Sequence, residues 1–194
     1  VEHYCEIKQL LVSGSVSLCH TLTKGEIDQF YLYFKELLLW NQRMNLTGLH
    51  SIKDIITTLF LDSLAGERIF SDGSRKYVLD VGSGGGFPGL PLKIIRPDIH
   101  LTLVEPTLKK VAFLRHIIGT LGLEGVDILP KRIQEMVGEK GLIGKFDYVI
   151  SKALRLESFL PFTKPFLNNC GKVVLYRTGS MEGCGHSDGM NVVS

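Results

Sequence analysis

The stretch "VLDVGSGGGFPG", residues 78–89, puts five glycines within eight positions directly after an apolar run. Glycine loses more backbone freedom on folding than any other residue, so such a cluster is costly unless something must approach a bare backbone. Just upstream, "KYVLDV" (76–81) has the apolar character of a short buried strand. Pro88 stands where a helix can open, because a proline in the first turn gives up no hydrogen bond. Strand, glycine turn and helix in that order begin a βαβ unit. In a doubly wound sheet, ligands sit at the carboxyl ends of the strands, where this turn lies.

Outward from the turn the same rhythm continues. Strands are expected at 100–105 ("HLTLVE"), 126–130 ("VDILP"), 146–151 ("FDYVIS") and 172–177 ("KVVLYR"). Between them, Thr107 to Leu121 carries Val111, Leu114, Ile118 and Leu121 at helical spacing, and a further helix is expected after the fourth strand, to about Asn168. Alternating strands and helices predict an α/β fold with a doubly wound, mostly parallel, Rossmann-like sheet. Upstream lies a helical cap. Thr23-Lys24-Gly25-Glu26 is a capping box opening a helix to about Arg43, with Ile27, Phe30, Tyr31, Phe34, Leu37 and Leu38 on one face. Ser51 opens another. The expected division is a helical region at 1–74, a ligand-binding domain at 75–177 and a tail at 178–194. That tail is rich in Gly and Ser without a period, so it is expected to be flexible and irregular.

Composition sets wide bounds. The chain has 194 residues, 44% hydrophobic and 22% charged, enough for one substantial core, and its net charge of +2 permits an anionic partner without demanding one. No basic start followed by an apolar run suggests a leader, and no apolar stretch approaches the 18 or so residues of a bilayer span. Cys5, Cys19, Cys170 and Cys184 fit no zinc spacing, so free thiols, a cytoplasmic location and no metal are expected.

Two ligand classes compete for the turn. Gly84-x-Gly86-x-x-Gly89 formally matches a dinucleotide fingerprint, but it starts about three residues late, since Gly82 already ends the strand, and Pro88 interrupts it. S-adenosylmethionine (SAM) is the other. Asp80 stands just before the glycines, where an acid can act through hydrogen bonds near the cationic methionine end. Gly82 and Gly84 leave the backbone open to the ligand. Glu105, closing the second strand, can accept ribose hydroxyls with either ligand. Asp80 and the position of Gly82 favour SAM.

Several segments together resemble the RsmG (GidB) family, bacterial methyltransferases acting on guanine N7 in the decoding-region stem-loop of 16S rRNA. They are "NLTGL" (45–49), "LDSL" (61–64), "VLDVGSGGGFPGLPLKIIRPD" (78–98), "VEPTLKKVAFLRHI" (104–117), "FDYVISKAL" (146–154) and "KVVLYR" (172–177). The resemblance runs from about residue 24 to 177. It implies a Rossmann-like SAM-methyltransferase fold, SAM contacts at Gly82 and Phe87, and backbone contacts to adenine at Ile133 and Gln134. It also implies a cofactor or orienting role for Lys152, which stands where the family has an arginine. Leu59 replaces a family histidine and Arg177 a lysine. The family continues past this point with a helix and two strands, and residues 178–194 show no pattern for a closing antiparallel pair. An open edge at 172–177 is therefore expected.

The residues agree with that chemistry. Guanine N7 has a free lone pair and no proton to lose, so orientation can stand in for a general base. After the fourth strand the chain reads "SKAL", with neither the N-P-P-[YF] clamp of amine methyltransferases nor a cysteine nucleophile. Lys109, Lys110, Arg115, Lys131, Arg132, Lys152 and Arg155 are the candidates for RNA phosphates, and Lys152, following a strand end, is expected at the mouth of the site, where it can pair with the methionine carboxylate or a phosphate. Asn45 either ends a helix or touches the site. Asp62 and Ser63 are either helix-surface polar residues or part of it. Trp40 is expected to pack and His116 to sit at the surface. The expected partner is 16S rRNA or a small-subunit assembly particle, met by a monomer. Alternatives are a non-catalytic RNA- or ribosome-binding protein with a degenerate SAM site, and a dinucleotide-dependent oxidoreductase.

Overall fold

The computed structural model describes residues 3–70, 75–152 and 154–176, with the backbone alone of 190–193. Its sheet has six strands: β1 (Tyr77–Val81), β2 (His100–Val104), β3 (Val126–Leu129), β4 (Phe146–Lys152), β5 (Leu167–Tyr176) and β6 (Met190–Val193). They lie in the order β3-β2-β1-β4-β5-β6, and every neighbouring pair is parallel. The chain winds from β1 out to β3 and then returns to the other side of β1. The switch point therefore falls between β1 and β4, where a crevice opens at the strand ends.

Alternation along β1 divides its side chains between two cores. Val78 joins the core under the helical cap, while Leu79 and Val81 join a second core with Phe146, Val149, Phe159 and Leu175. Helix α1 spans Tyr4–Ser17 and α2 spans Lys24–Met44. The α2 capping box forms as expected: Thr23 Oγ1 accepts from the Glu26 N–H at 3.3 Å, and Glu26 Oε2 accepts from the Thr23 N–H at 2.6 Å. On α2 the buried face is Ile27, Phe30, Tyr33, Phe34 and Leu37. Tyr31 and Leu38, expected inside, are half-buried at its margins.

Ser51 caps α3 (Ile52–Ile55), its Oγ accepting from the Asp54 N–H at 3.0 Å. A π-helical turn at Ile56–Leu61 follows, then α4 (Asp62–Leu64) and a 3-10 turn at Ala65–Phe70. The wider turn re-aims the face: Phe60 goes into the core while Thr58, Leu59 and Asp62 border a cleft at the strand ends. The remaining helices are α5 (Gly89–Ile95), α6 (Leu108–Leu121) and α7 (Leu156–Phe159).

Two expectations need correction. The long helix after β4 is absent: α7 is one turn, followed by 3-10 turns at Leu160–Phe162 and Lys164–Phe166, and β5 begins already at Leu167. Pro161 and Pro165 explain this, since each removes an N–H and clashes with the preceding turn. The tail is not irregular throughout either. Met190–Val193 pairs in parallel with Val173–Tyr176, so the edge of β5 is covered along those residues. Two β-branched valines suit a strand, and the intervening 177–189 meets the dozen or so residues a parallel connection needs. Arg177 and the rest of the tail lie outside the described residues.

Candidate functional site

The glycine turn is tied to β2 and to the cap beneath it. The Gly82 and Ser83 N–H groups both donate to the Val104 carbonyl, at 2.8 and 3.2 Å. Ser83 Oγ donates to the Asp80 carbonyl at 2.9 Å. From below, the Tyr33 hydroxyl donates to the Gly85 carbonyl at 2.5 Å. Phe87 stacks on the Tyr33 ring with centroids 5.2 Å apart and meets Phe60 edge-on. Its ring thus belongs to the core, and only its backbone is left to face a ligand.

Asp80 is fully buried, pointing at the start of α5. Its Oδ2 accepts from the Gly89 N–H at 2.9 Å, and Oδ1 has no hydrogen-bond partner. A Cβ on Gly89 would lie 2.6 Å from that Oδ2, so only glycine lets the helix come this close. Burial pushes the Asp80 carboxyl up to about 7, against the pull of the Gly89 amide, with the Glu105 charge adding to the rise. Asp80 organises the turn from within, and the orphaned oxygen leaves it one acceptor in reserve. Glu105 is also sealed in. Its Oε2 accepts from the Gly84 N–H at 3.0 Å and its Oε1 from the Thr107 N–H at 2.8 Å. Each oxygen keeps a second lone pair for a hydroxyl donor.

Above the turn lies a slot of about 180 Å³, lined by Val81, Gly82, Val104, Pro106, Arg132 and Ile133 among others. Gly82 has φ +74°, and a Cβ there would come within 2.5 Å of a Leu154 methyl. A bare backbone at the slot's floor and apolar walls fit an adenosine moiety, and Glu105 stands between Val104 and Pro106, both of which line the slot. The residues present therefore suit SAM. Ile133 and Gln134 open a 3-10 turn at Ile133–Met136: Ile133 is buried, while Gln134 is exposed and its amide donates to the Ser158 carbonyl at 2.5 Å.

Next to the slot, and sharing Leu154 and Phe159 with it, is a cleft of about 490 Å³ between the cap and the ends of β4 and β5. Lys152 lies here, but its ammonium faces inward. It donates to the Thr58 carbonyl and pairs with Asp62 Oδ2, with only 11% of the side chain exposed. Burial lowers its pKa while Asp62 supports the charge. The expected mouth-facing cation is instead a clamp between β4 and the cap.

The basic residues divide. Lys109 and Lys110 lie in the first turn of α6, just past β2, and Arg155 precedes α7 past β4. Arg132 borders the slot, as does Lys131, which pairs with Glu139. Arg115 sits further along α6, away from the strand ends. Asn45 is the left-handed C-cap of α2, and Ser63 is buried, donating to the Leu59 carbonyl. Trp40 packs near Phe113, and exposed His116 pairs with Glu36 at 2.7 Å. Sequence reasoning missed Thr47, Thr58, Ser151 and Tyr176, all of which line the larger cleft. Thr47 had a signal, the "NLTG" turn, whose backbone is bracketed by the Asn41 amide at 2.9 Å in both directions.

Comparison with known proteins adds an independent line. The family profile described as rRNA small subunit methyltransferase G (GidB) matches residues 26–183. The ribosomal RNA small subunit methyltransferase G of Geotalea uraniireducens is 35% identical over 182 residues, spanning 93% of this chain and 79% of the relative. That of Dehalococcoides mccartyi is 39% identical over 173 residues, 89% and 73% of the two chains. Among solved structures, a SAM-dependent methyltransferase from Methanococcus maripaludis is similar in fold, with TM-score 0.51 and 17% identity over 63% of this chain and 58% of that one. A precorrin-6Y methyltransferase from Geobacter metallireducens gives TM-score 0.50 and 17% identity over 66% and 65%.

Proposed function

The chain belongs to the rRNA small subunit methyltransferase G family, and on that premise we propose that it methylates N7 of a guanine in small-subunit rRNA, within the decoding-region stem-loop. The observation that carries the reading is the glycine turn at the switch point, with buried Asp80 beneath it and anchored Glu105 beside it. When bound, SAM supplies a methyl group on a sulfonium, open to in-line attack by a lone pair. Gly82, Glu105 and the Ile133–Gln134 backbone hold the adenosine part, and Asp80 keeps the turn in shape. Guanine N7 needs no proton removed, so the chain's task is to place the base and exclude water. No cysteine borders either cleft among the described residues, which suits a nitrogen rather than a pyrimidine carbon as acceptor.

Lys109, Lys110, Arg132 and Arg155 can take phosphates around the strand ends, giving salt-dependent affinity, while Arg115 contributes from further out. N7 lies on the edge that faces the deep, narrow major groove of RNA, so the target base must be unpaired or turned out of its helix. A monomer is the proposed working form. Among the described residues no helix is long and apolar enough to cross a membrane, and the proposed work lies in the cytoplasm with the assembling small subunit. The test is transfer of tritium from methyl-labelled SAM to small-subunit RNA and to particles, followed by nucleoside analysis. N7-methylguanosine is the expected product; label on another nucleoside, or none on either substrate, would defeat the proposal.

A further inference from the structure

The larger cleft contains one carboxylate in a largely apolar wall. Leu59, Leu154, Leu156 and Phe159 supply flat apolar surface, and Asp62 faces the space between them. Its Oδ2 is held by Lys152, whose second bond to the Thr58 carbonyl fixes the ammonium in turn. Oδ1 has no hydrogen-bond partner among the described residues, and 23% of the Asp62 side chain remains exposed. An ionised carboxylate only accepts hydrogen bonds. Whatever planar group fills this cleft must therefore bring donors, or it buries an unsatisfied oxygen at a cost that opposes its own binding.

Of the four bases, guanine alone presents two adjacent donors on its Watson–Crick edge, N1–H and the 2-amino group. Adenine offers N1 as a lone pair there, which would face the carboxylate unfavourably. A guanine held by that edge also leaves N7, on the opposite side of the purine, free to react. Resting on the guanine-N7 reading above, we infer that Asp62 is the specificity-determining residue. Its carboxylate accepts from N1–H and the 2-amino group of the turned-out guanine, and Lys152 is the positioning residue that holds it. A site built to hydrogen-bond a substrate group rejects analogues lacking it far more strongly than apolar packing could.

The experiment uses the full chain and a small-subunit rRNA fragment whose methylated guanosine, mapped with the wild-type protein, is replaced by inosine. Inosine keeps N1–H and N7 and lacks only the 2-amino group. Wild-type kcat/KM should fall roughly 10- to 100-fold on the inosine RNA, as for loss of a hydrogen bond to a charged group. Asp62→Asn should lose activity on guanosine RNA and show an inosine penalty below about threefold, because the bond from the 2-amino group is then already gone. Because the variant also weakens the bond from N1–H, its loss on guanosine RNA should be at least as large as the inosine penalty of the wild type, the 2-amino bond being the interaction that both changes remove. Its affinity for S-adenosylhomocysteine (SAH), by calorimetry, should stay near the wild-type value. Equal rates of the wild-type chain on both RNAs, or the same inosine penalty in both proteins, would overturn the role of Asp62. The first of these needs no variant, so a misfolded Asp62→Asn leaves the inference open to refutation. A chain that binds SAH yet forms no N7-methylguanosine defeats the reading of the reaction, and this inference with it. Product formed with equal penalties defeats only the inference.

Discussion

The two hollows at the carboxyl edge of the sheet are made of different material. The slot over Gly82 is built from backbone: amides of the turn bound to the Val104 carbonyl and to Glu105, with a bare floor where a Cβ would collide with Leu154. The cleft beside it is built from side chains brought together from four distant parts of the chain, Thr47, Asp62, Lys152 and Tyr176 among them. A backbone site is rigid, depends on the core that supports it and tolerates no added atoms. A side-chain site can change what it accepts one residue at a time while the fold stands.

The strongest way to break this contrast is to remove the support under the turn. Phe87→Ala deletes a ring packed on Tyr33 and Phe60 and should destabilise the chain by about 3–5 kcal/mol in urea unfolding. A loss below about 1 kcal/mol would mean that the turn stands without its core.

Asp80 gives the next effect, read through pH. Its carboxyl sits at about 7 in the fold against an ordinary 3.8, so the folded chain holds this proton more tightly than the unfolded one. The contribution is full below about pH 4 and is lost as pH rises to about 7. The stability difference between wild-type and Asp80→Asn should therefore shift by roughly 3–4 kcal/mol across that window, at about 1.4 kcal/mol per unit. A difference independent of pH would show that the buried carboxylate does not titrate with folding.

Gly82→Val tests the bare floor directly. The side chain would meet Leu154, and a β-branched residue at φ +74° is strained, which costs about 1–3 kcal/mol of stability. SAH binding should fall by roughly 100-fold or more, equivalent to about 2.7 kcal/mol. Calorimetry showing near-normal binding in the folded variant would remove Gly82 from the site.

Smallest is the side-chain cleft's own test. Lys152→Ala leaves Asp62 without its partner in a half-buried position and should cost about 1–3 kcal/mol of stability. Lys152→Arg keeps the charge and can pair with the carboxylate through its fork, so it should stay within about 1 kcal/mol of wild type. Because the ammonium faces Asp62 and Thr58, SAH affinity should change less than about threefold in either variant. A large loss of SAH binding in Lys152→Ala would join the two hollows into one site.

The contrast also explains what could be seen in advance. The glycine turn, Asp80, Gly82 and Glu105 were legible because a backbone site depends on a few residues adjacent in sequence or one strand away. The capping box of α2 was legible for the same reason. The clamp of Lys152 on Asp62 was not, since nothing in "SKAL" says which way a lysine turns once a helical cap lies against the strand end. For Phe87 the resemblance implied a cofactor contact without saying which part of the residue would make it, and α2 claims the ring for the core while the backbone stays at the turn. After β4 the apolar spacing suggested a helix, and Pro161 and Pro165 overruled it. Residues 190–193 had no signal beyond two valines and became a strand by pairing with the available edge of β5.

Local chemistry in the chain by itself determined the parallel α/β order, the glycine turn at the end of β1 and the acids flanking it. Those features follow from periodicity, turn geometry and the need for a bare backbone, all of which act over a few residues. Only the tertiary structure decided that Asp80 is sealed under α5, that Lys152 turns inward and that Thr47, Asp62 and Tyr176 border one cleft. Burial, ion pairing and the direction of a side chain depend on what packs against it, and those partners are separated by up to 129 positions from Thr47 to Tyr176.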